Sequence, residues 1–261
     1  MALNPPQCDR LVLRRAPLVL VVSQLRFTSI LSIQRQEFIA EFQEDIRGDY
    51  PVLEQQQGVQ VQLRPPAPAP APLIIETSTL WRFLSADGGW IAALAPDFLS
   101  LETTAYTSFA DFVTRFDNLL NAFVSRFRPS QQVRLGLRYV NEFRSPGRPE
   151  ARQWKGYIRE ELLGALVTDV FGNVVGAARQ DIRVRQDDGW FVLRLEMAPQ
   201  EEDQPSRVTL DFDYYDQETR QLDTTDILGK LHRYNDVTYR MFRWAVLEPL
   251  LEELEPEHEN P

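Results

Sequence analysis

Apolar and polar positions along this chain switch between a period of two and a period near 3.6, the marks of half-buried strands and amphipathic helices. Residues 81–106 show the pattern best. Residues 73–84 are strand-like. Asp87-Gly88-Gly89 supplies a turn, because glycine tolerates positive φ. Residues 90–94 return, Pro96-Asp97 makes a corner, and residues 98–106 run on as a third strand. Upstream, residues 18–27 are β-branched and apolar and read as a strand. Phe38, Ile39, Phe42 and Ile46 fall at helical spacing within 33–47, and Gly48 and Pro51 stop that helix. Val59, Val61 and Leu63 alternate with Gln60, Gln62 and Arg64 as a short half-exposed strand. Residues 1–15 read as a loose leader. The PPAPAPAP run at 65–72 reads as an extended spacer, since proline donates no ladder hydrogen bond.

Ser108, with Asp111 three residues on, predicts the start of the cleanest helix. Phe109, Phe112, Phe116, Leu119, Leu120, Phe123 and Phe127 share one of its faces, and Arg126, Arg128 and Pro129 end it. From Val133 the chain alternates again, with Val133, Leu135, Leu137, Tyr139 and Phe143 on one face and Arg134, Arg138 and Glu142 on the other. A helix is predicted over 154–166. A hairpin turns at Asp187-Asp188-Gly189, a polar loop covers 199–206, and Val208, Leu210, Phe212 and Tyr214 mark the next strand. Asp223 caps a long final helix whose buried face includes Ile227, Leu231, Tyr234, Met241 and Phe242. Pro249 kinks or ends it, and the last residues of the acidic tail at 249–261 fray.

The two halves echo each other. Leu99, Leu101, Glu102 and Tyr106 match Val208, Leu210, Asp211 and Tyr215 at one constant offset. Leu25-Arg26-Phe27 matches Leu137-Arg138-Tyr139, and Trp90 matches Trp190 as a framework position after an Asp/Gly turn. Ser108 and Asp111 match Asp223 and Asp226 as cap and first-turn acid. The expected fold class is α+β: an antiparallel sheet from two duplicated strand-helix-strands-helix halves, with long helices packed on one sheet face. The halves are residues 1–129 and 130–261, integrated as one domain. The opposite sheet face is then open or covered by a partner.

Composition narrows the function classes. With 43% hydrophobic residues in 261, the chain forms a core without staples. Cys8 is the single cysteine, so no intramolecular disulfide forms. No apolar run reaches the length of a membrane span and no signal-peptide pattern opens the chain, so a cytoplasmic location is expected. A net charge of -10 argues against nucleic acid as the main partner. Lys155 and Lys230 are the only lysines; the remaining cations are arginines, which favour bidentate pairing with carboxylates and phosphates.

Candidate chemistry is sparse. His232, His258 and Cys8 have no metal-ligand spacing, and there is no phosphate-cradling glycine motif or nucleophile elbow. No catalytic residue, metal site or cofactor is therefore expected. Glu102, Asp211 and Asp213 lie on inferred strands and suit acid/base work, a metal, or pairing with arginine. Arg26, Arg82 and Arg138 alternate with Phe27, Phe83 and Tyr139. With the aromatics facing the helices, the arginines line the open sheet face. Arg26, Arg82, Arg138, Asn141 and Glu142 are the candidate binding residues, for an anionic small molecule, a peptide or an acidic partner surface. The alternative is an intramolecular salt-bridge lattice.

The duplicated element order resembles the TATA-box-binding saddle and duplicated strand-helix-strand-strand ligand-sensing modules, an analogy of fold that implies no function. A resemblance over nearly the whole chain rests on APLVLVVSQLRF, WRFLSADGGWIAALAPDFLSLETTAYTSFADF and RLGLRYVNEF. These segments resemble a sporadically distributed family of uncharacterised prokaryotic proteins of similar length. That patchy distribution implies an accessory or mobile-element role, in defence or toxin control. Val19 stands where the family mostly carries an acid, so no role for that acid carries over. The expectation is a non-enzymatic interaction protein that contacts another protein or a second copy of itself. A sensor holding an anionic small molecule on Arg26 and Arg138 is the alternative, and a carboxylate- or metal-dependent hydrolase the third.

Overall fold

A computed structural model describes residues 3–61, 75–145, 147–148, 150–171, 175, 177–198 and 206–257. The predicted spacer at 65–72, nearly all of the loop at 199–206 and the end of the tail lie outside these residues. In chain order the elements are β1 (Val12–Leu13), β2 (Leu18–Phe27), a 3₁₀ turn at Leu31–Gln34, α1 (Gln36–Ile46), β3 (Val52–Val61), β4 (Ile75–Leu84), β5 (Trp90–Ala95), β6 (Phe98–Thr103), α2 (Phe109–Phe127) and β7 (Gln131–Ser145). Then come a 3₁₀ turn at Ala151–Trp154, α3 (Glu160–Leu163), a 3₁₀ turn at Gly164–Val167, β8 (Ala178–Gln186), β9 (Gly189–Ala198), β10 (Ser206–Asp216), β11 (Arg220–Gln221), α4 (Thr224–Ala245), α5 (Glu248–Glu253) and β12 (Pro256–Glu257). The fold is mixed α and β with a large antiparallel sheet.

The chain divides into two compact units, and β2 and β7 each give residues to both. The first unit holds Val22–Leu135 and Gln217–Leu228. Its strands run in the order β3-β4-β5-β6-β2. β3 pairs with β4 from Val52↔Leu84 to Val61↔Ile75, and β5 with β6 from Trp90↔Thr103 to Ala95↔Phe98. Alternation sends Phe27, Phe83, Leu94 and Leu101 to one buried face. There the aromatic stripes of α1 and α2 meet the strands: Phe123 on Phe27 at 4.6 Å, Phe42 on Phe83 at 5.5 Å and Phe112 on Trp90 at 5.9 Å. Each such ring contributes about 1.5–3 kcal/mol by leaving water. Trp81 donates Nε1–H to the Ile33 carbonyl at 2.8 Å, which keeps its one polar atom satisfied in that core. Ser108 caps α2 as predicted, its hydroxyl accepting from the Asp111 amide at 3.2 Å. Arg128 ends the helix in the left-handed region at φ 46°.

The second unit holds Met1–Val21, Gly136–Asp216 and Gly229–Pro261. Its strands follow the order β2-β7-β10-β9-β8, which leaves β8 at the edge. β10 pairs with β9 from Arg207↔Ala198 to Tyr215↔Trp190, and β8 with β9 from Ala178↔Met197 to Gln186↔Gly189. Tyr139, Phe191, Leu193, Leu210, Phe212 and Tyr214 are buried. Helix α4 closes over this face: Tyr234 stacks on Tyr214 at 4.1 Å, and Tyr139 donates its hydroxyl to Asn235 Oδ1 at 2.9 Å.

Four expectations are corrected. The leader is tied down rather than loose. β1 pairs with β12, and Leu11 N–H donates to Tyr239 Oη at 2.7 Å. Strand β3 is longer than the alternation at 59–63 implies, because ladder pairing with β4 extends it back to Val52. The helix over 154–166 is instead two 3₁₀ turns and the single turn α3. Gly156 at φ +82° and Arg159 at ψ 128° leave the helical region. Their neighbourhood bonds elsewhere, with Arg159 N–H donating to the Ala245 carbonyl at 2.9 Å and Leu247 N–H to that of Tyr157 at 2.9 Å. Pro249 neither kinks nor ends α4, which stops at Ala245; it sits in the first turn of α5, where its missing N–H costs nothing.

Gly189 gives the hairpin its tight approach, since a Cβ there would stand 2.2 Å from the Tyr215 carbonyl oxygen. Gly88 has φ +72° but open space around it. Gly189→Ala is expected to cost about 3 kcal/mol or more through backbone displacement. Gly88→Ala is expected to cost about 1–2 kcal/mol through its dihedral alone. Urea midpoints of the two variants against the parent check the ranking.

Candidate functional site

Strand alternation in the second unit exposes a face built from Arg138, Glu142 and Arg144 of β7, Arg207, Asp211, Asp213 and Tyr215 of β10, Trp190, Arg194 and Glu196 of β9, and Arg179, Asp181, Arg183 and Arg185 of β8. Register sets Arg194 opposite Asp211 on one side and Asp181 on the other. At its centre the Asp211 carboxylate is only 8% exposed. It accepts two parallel hydrogen bonds from Arg138, Nε and Nη2, each at 2.8 Å, and a third from Arg194 Nη1 at 3.0 Å. Those bonds hold the Arg138 guanidinium above its ordinary pKa. Arg194 also reaches Asp213 at 3.7 Å.

Neighbouring charges are occupied in the same way. Glu142 accepts from Arg144 at 2.6 Å and lies 3.7 Å from Arg207, which is itself 3.7 Å from Glu196. Arg179 pairs with Asp181 at 3.1 Å and holds that carboxyl below its usual range by hydrogen bonding. Arg183 and Arg185 differ. Both are exposed, and neither pairs with a carboxylate among the described residues. Their guanidiniums lie over the Trp190 ring at 4.3 Å and 5.8 Å, and Arg183 stands 5.6 Å from the Tyr215 ring. Stacking on indole restrains the planar groups while leaving their N–H edges able to donate.

The predicted binding residues separate on this geometry. Arg138 and Glu142 share the charged face of β7, whereas Asn141 falls on the buried face, where it donates Nδ2–H to the Leu210 carbonyl at 3.3 Å. Arg26 and Arg82 belong to the first unit. Arg26 pairs with Asp97, and Arg82 with Glu54 at 2.8 Å and Glu102 at 3.9 Å. Most of these groups thus form lattices inside their own unit. Sequence reasoning passed over Arg183 and Arg185, although ARQDIRVRQ puts charge at every second position of one strand. It also paired Trp190 with Trp90. Trp90 faces α2, while Trp190 lies on the charged face opposite buried Phe191. Both hairpins turn in the same register, with Trp90 opposite Ser85 and Trp190 opposite Arg185. What differs is the phase of the strand before the turn, where Trp81 and Phe83 share the face of Trp90 but Arg183 and Arg185 share that of Trp190.

Beneath β10 lies a polar cluster that composition only hinted at. Lys230, one of two lysines, is buried and donates Nζ–H to Asp216 Oδ2 at 2.8 Å. Tyr234 donates its hydroxyl to the same oxygen at 3.3 Å. Tyr214 donates to Asp188 Oδ1 at 2.6 Å, and Arg233 pairs with Asp188 Oδ2. Burial pushes the Tyr214 phenol up to about 12, with the charge of Asp187 adding to it. Burial, followed by the charge of Asp216, lifts Tyr234 further. His232, two residues from Lys230, is exposed. Among the described residues no three His, Cys, Asp or Glu side chains are grouped to hold a metal, and no helix is long and apolar enough to cross a membrane.

Two outcomes follow from the cluster. Lys230→Met removes the buried ammonium that pairs with Asp216 and is expected to cost about 3–5 kcal/mol, much of it restored by adding Asp216→Asn; denaturation of the two variants against the parent checks this. The phenol of Tyr214 stays protonated in the folded protein up to about 12. Unfolded tyrosine ionises near pH ~10. The folded state therefore binds more protons in that window, so stability is expected to fall as pH rises from about 10 towards 12. Tyr214→Phe should flatten the slope of melting temperature against pH.

Compared with known proteins, the chain matches no family model and no curated protein.

Proposed function

We propose that the chain is a non-enzymatic interaction protein that holds an acidic surface of another protein on the β8–β9 end of the charged face. One observation carries this reading: Arg183 and Arg185 are exposed, stacked over Trp190 and without a carboxylate among the described residues, while Arg138, Arg179, Arg194 and Arg207 each have at least one. Two restrained guanidiniums beside an indole supply the Arg and Trp anchors that protein interfaces favour. The anionic-ligand reading is less well served, because Arg138 spends two of its donors on Asp211 and would have to release them. An accessory prokaryotic role in defence or toxin control, as the family resemblance implies, suits a protein that acts by contact.

We also read the two strand-helix-strands-helix runs as duplicated, with the long helices on one sheet face. Leu101 and Leu210 are both buried beside strand neighbours Glu102 and Asp211, which form ion pairs with arginine. Ser108 and Asp223 both cap by accepting the amide three residues on. Trp90 and Trp190 are left out of the match.

Tagged full-length chain retrieved from its native host tests the functional reading. An acidic-surfaced partner is expected with the parent, and Arg183→Glu/Arg185→Glu is expected to weaken that complex at least about tenfold while Arg26→Ala leaves it unchanged. A strictly monomeric chain with no partner, or a partner indifferent to the charge reversal, overturns it.

A further inference from the structure

The edge strand next to Arg183 and Arg185 has a second property. β8 is last in its sheet order, and β9 is its one strand partner among the described residues. A strand paired on one side only presents main-chain N–H and C=O groups on the other. The end of this edge is closed locally: Gln186 donates Nε2–H to the Arg185 carbonyl at 3.1 Å, and Leu3 N–H donates to Gln186 Oε1 at 2.9 Å. Residues 178–184 carry no such closure among the described contacts. Their side chains alternate, with Arg183 and then Arg185 on the charged face and half-buried Ile182 and Val184 on the other.

We infer that β8 is a docking edge on which an extended acidic segment of the partner protein adds as a further strand. This rests on the proposed function and specifies how the acidic surface is held. Charge complementarity selects the occupant. Asp181 is already neutralised by Arg179, so the uncompensated charge of the strand is positive and sits at positions two residues apart. A strand laid alongside presents every second side chain to one face, with directly opposed Cβ atoms about 4.5–5.5 Å apart. Carboxylates at alternate positions of the incoming segment therefore meet Arg183 and Arg185, and β-branched apolar residues between them meet Ile182 and Val184. Main-chain hydrogen bonds supply affinity, and the alternating side chains supply selection. Stacking over Trp190 lowers the cost of ordering the two arginines.

The test uses the full chain with short capped peptides. One alternates Glu and Val, a second replaces Glu by Gln, and a third and fourth are the Glu–Val peptide N-methylated at one or the other set of alternate amides. Tryptophan fluorescence reads binding, and hydrogen exchange reads protection of the amides of residues 178–184. The Glu–Val peptide is expected to bind and to protect those amides. Gln replacement and N-methylation in the edge-facing register are each expected to weaken binding at least about tenfold. Equal binding of the N-methylated peptides in both registers overturns strand addition but leaves the acidic-surface reading standing. Equal binding of the Gln peptide overturns selection by charge. A parent chain that dimerises through β8, seen in sedimentation and broken by Val184→Pro, assigns the edge to a second copy and overturns the acidic segment. Failure of every peptide to bind overturns the inference; it reaches the functional reading only if charge reversal also leaves native partner capture unchanged.

Discussion

A carboxylate covered on the solvent side of a sheet constrains the whole charged face. Asp211 sits on β10 with almost no exposure, and removing an ion from water costs roughly several kcal/mol unless its lone pairs are filled. Arg138 and Arg194 fill them from the two flanking strands. That requirement fixes the register of β7, β10 and β9 relative to the charges, because a slip of one residue would turn every partner to the other face. It also decides which cations are spent. The arginines nearest the acids are committed to the lattice, and the pair left over lies at the edge, stacked over Trp190.

The opposite face obeys a simpler rule. In each unit the strands give alternate apolar side chains to a buried core, and several of the polar groups that enter it arrive with partners, although the Ser23 and Thr238 hydroxyls find none among the described residues. Trp81 reaches the Ile33 carbonyl, Tyr139 reaches Asn235, and Lys230 and Tyr234 share Asp216. The Lys230–Asp216 pair adds little net stability over an apolar pair of the same shape. Its effect is to make one arrangement of β10 and α4 far better than any that separates the two charges.

Periodicity and capping chemistry were legible in the sequence because they depend on neighbours close along the chain. The aromatic face of α2, its Ser108 cap, the cap of α4 by Asp223 and the alternation of β2, β7 and β10 all come from spacing within a few residues. So did the separation of Arg26, Arg82 and Arg138 from their aromatic neighbours. The segment at 154–166 shows the limit. Its apolar spacing suits a helix, but hydrogen bonds to Ala245 and from Leu247, far along the chain, outweigh the local preference. The leader shows the same limit, since the partners of β1 lie at Pro256 and Glu257.

The charged residues divide along the same line. By itself the sequence determined that this protein alternates strands and amphipathic helices, that arginine supplies nearly all of its cations, and that Arg26, Arg82 and Arg138 lie on strand faces away from Phe27, Phe83 and Tyr139. These are properties of residue type and short-range period. Only the tertiary structure decided which arginine meets which acid, that Asn141 faces inward, and that Arg183 and Arg185 meet no acid among the described residues. Pairing across strands depends on register, which is set by contacts between residues distant in the chain and leaves no mark in local spacing.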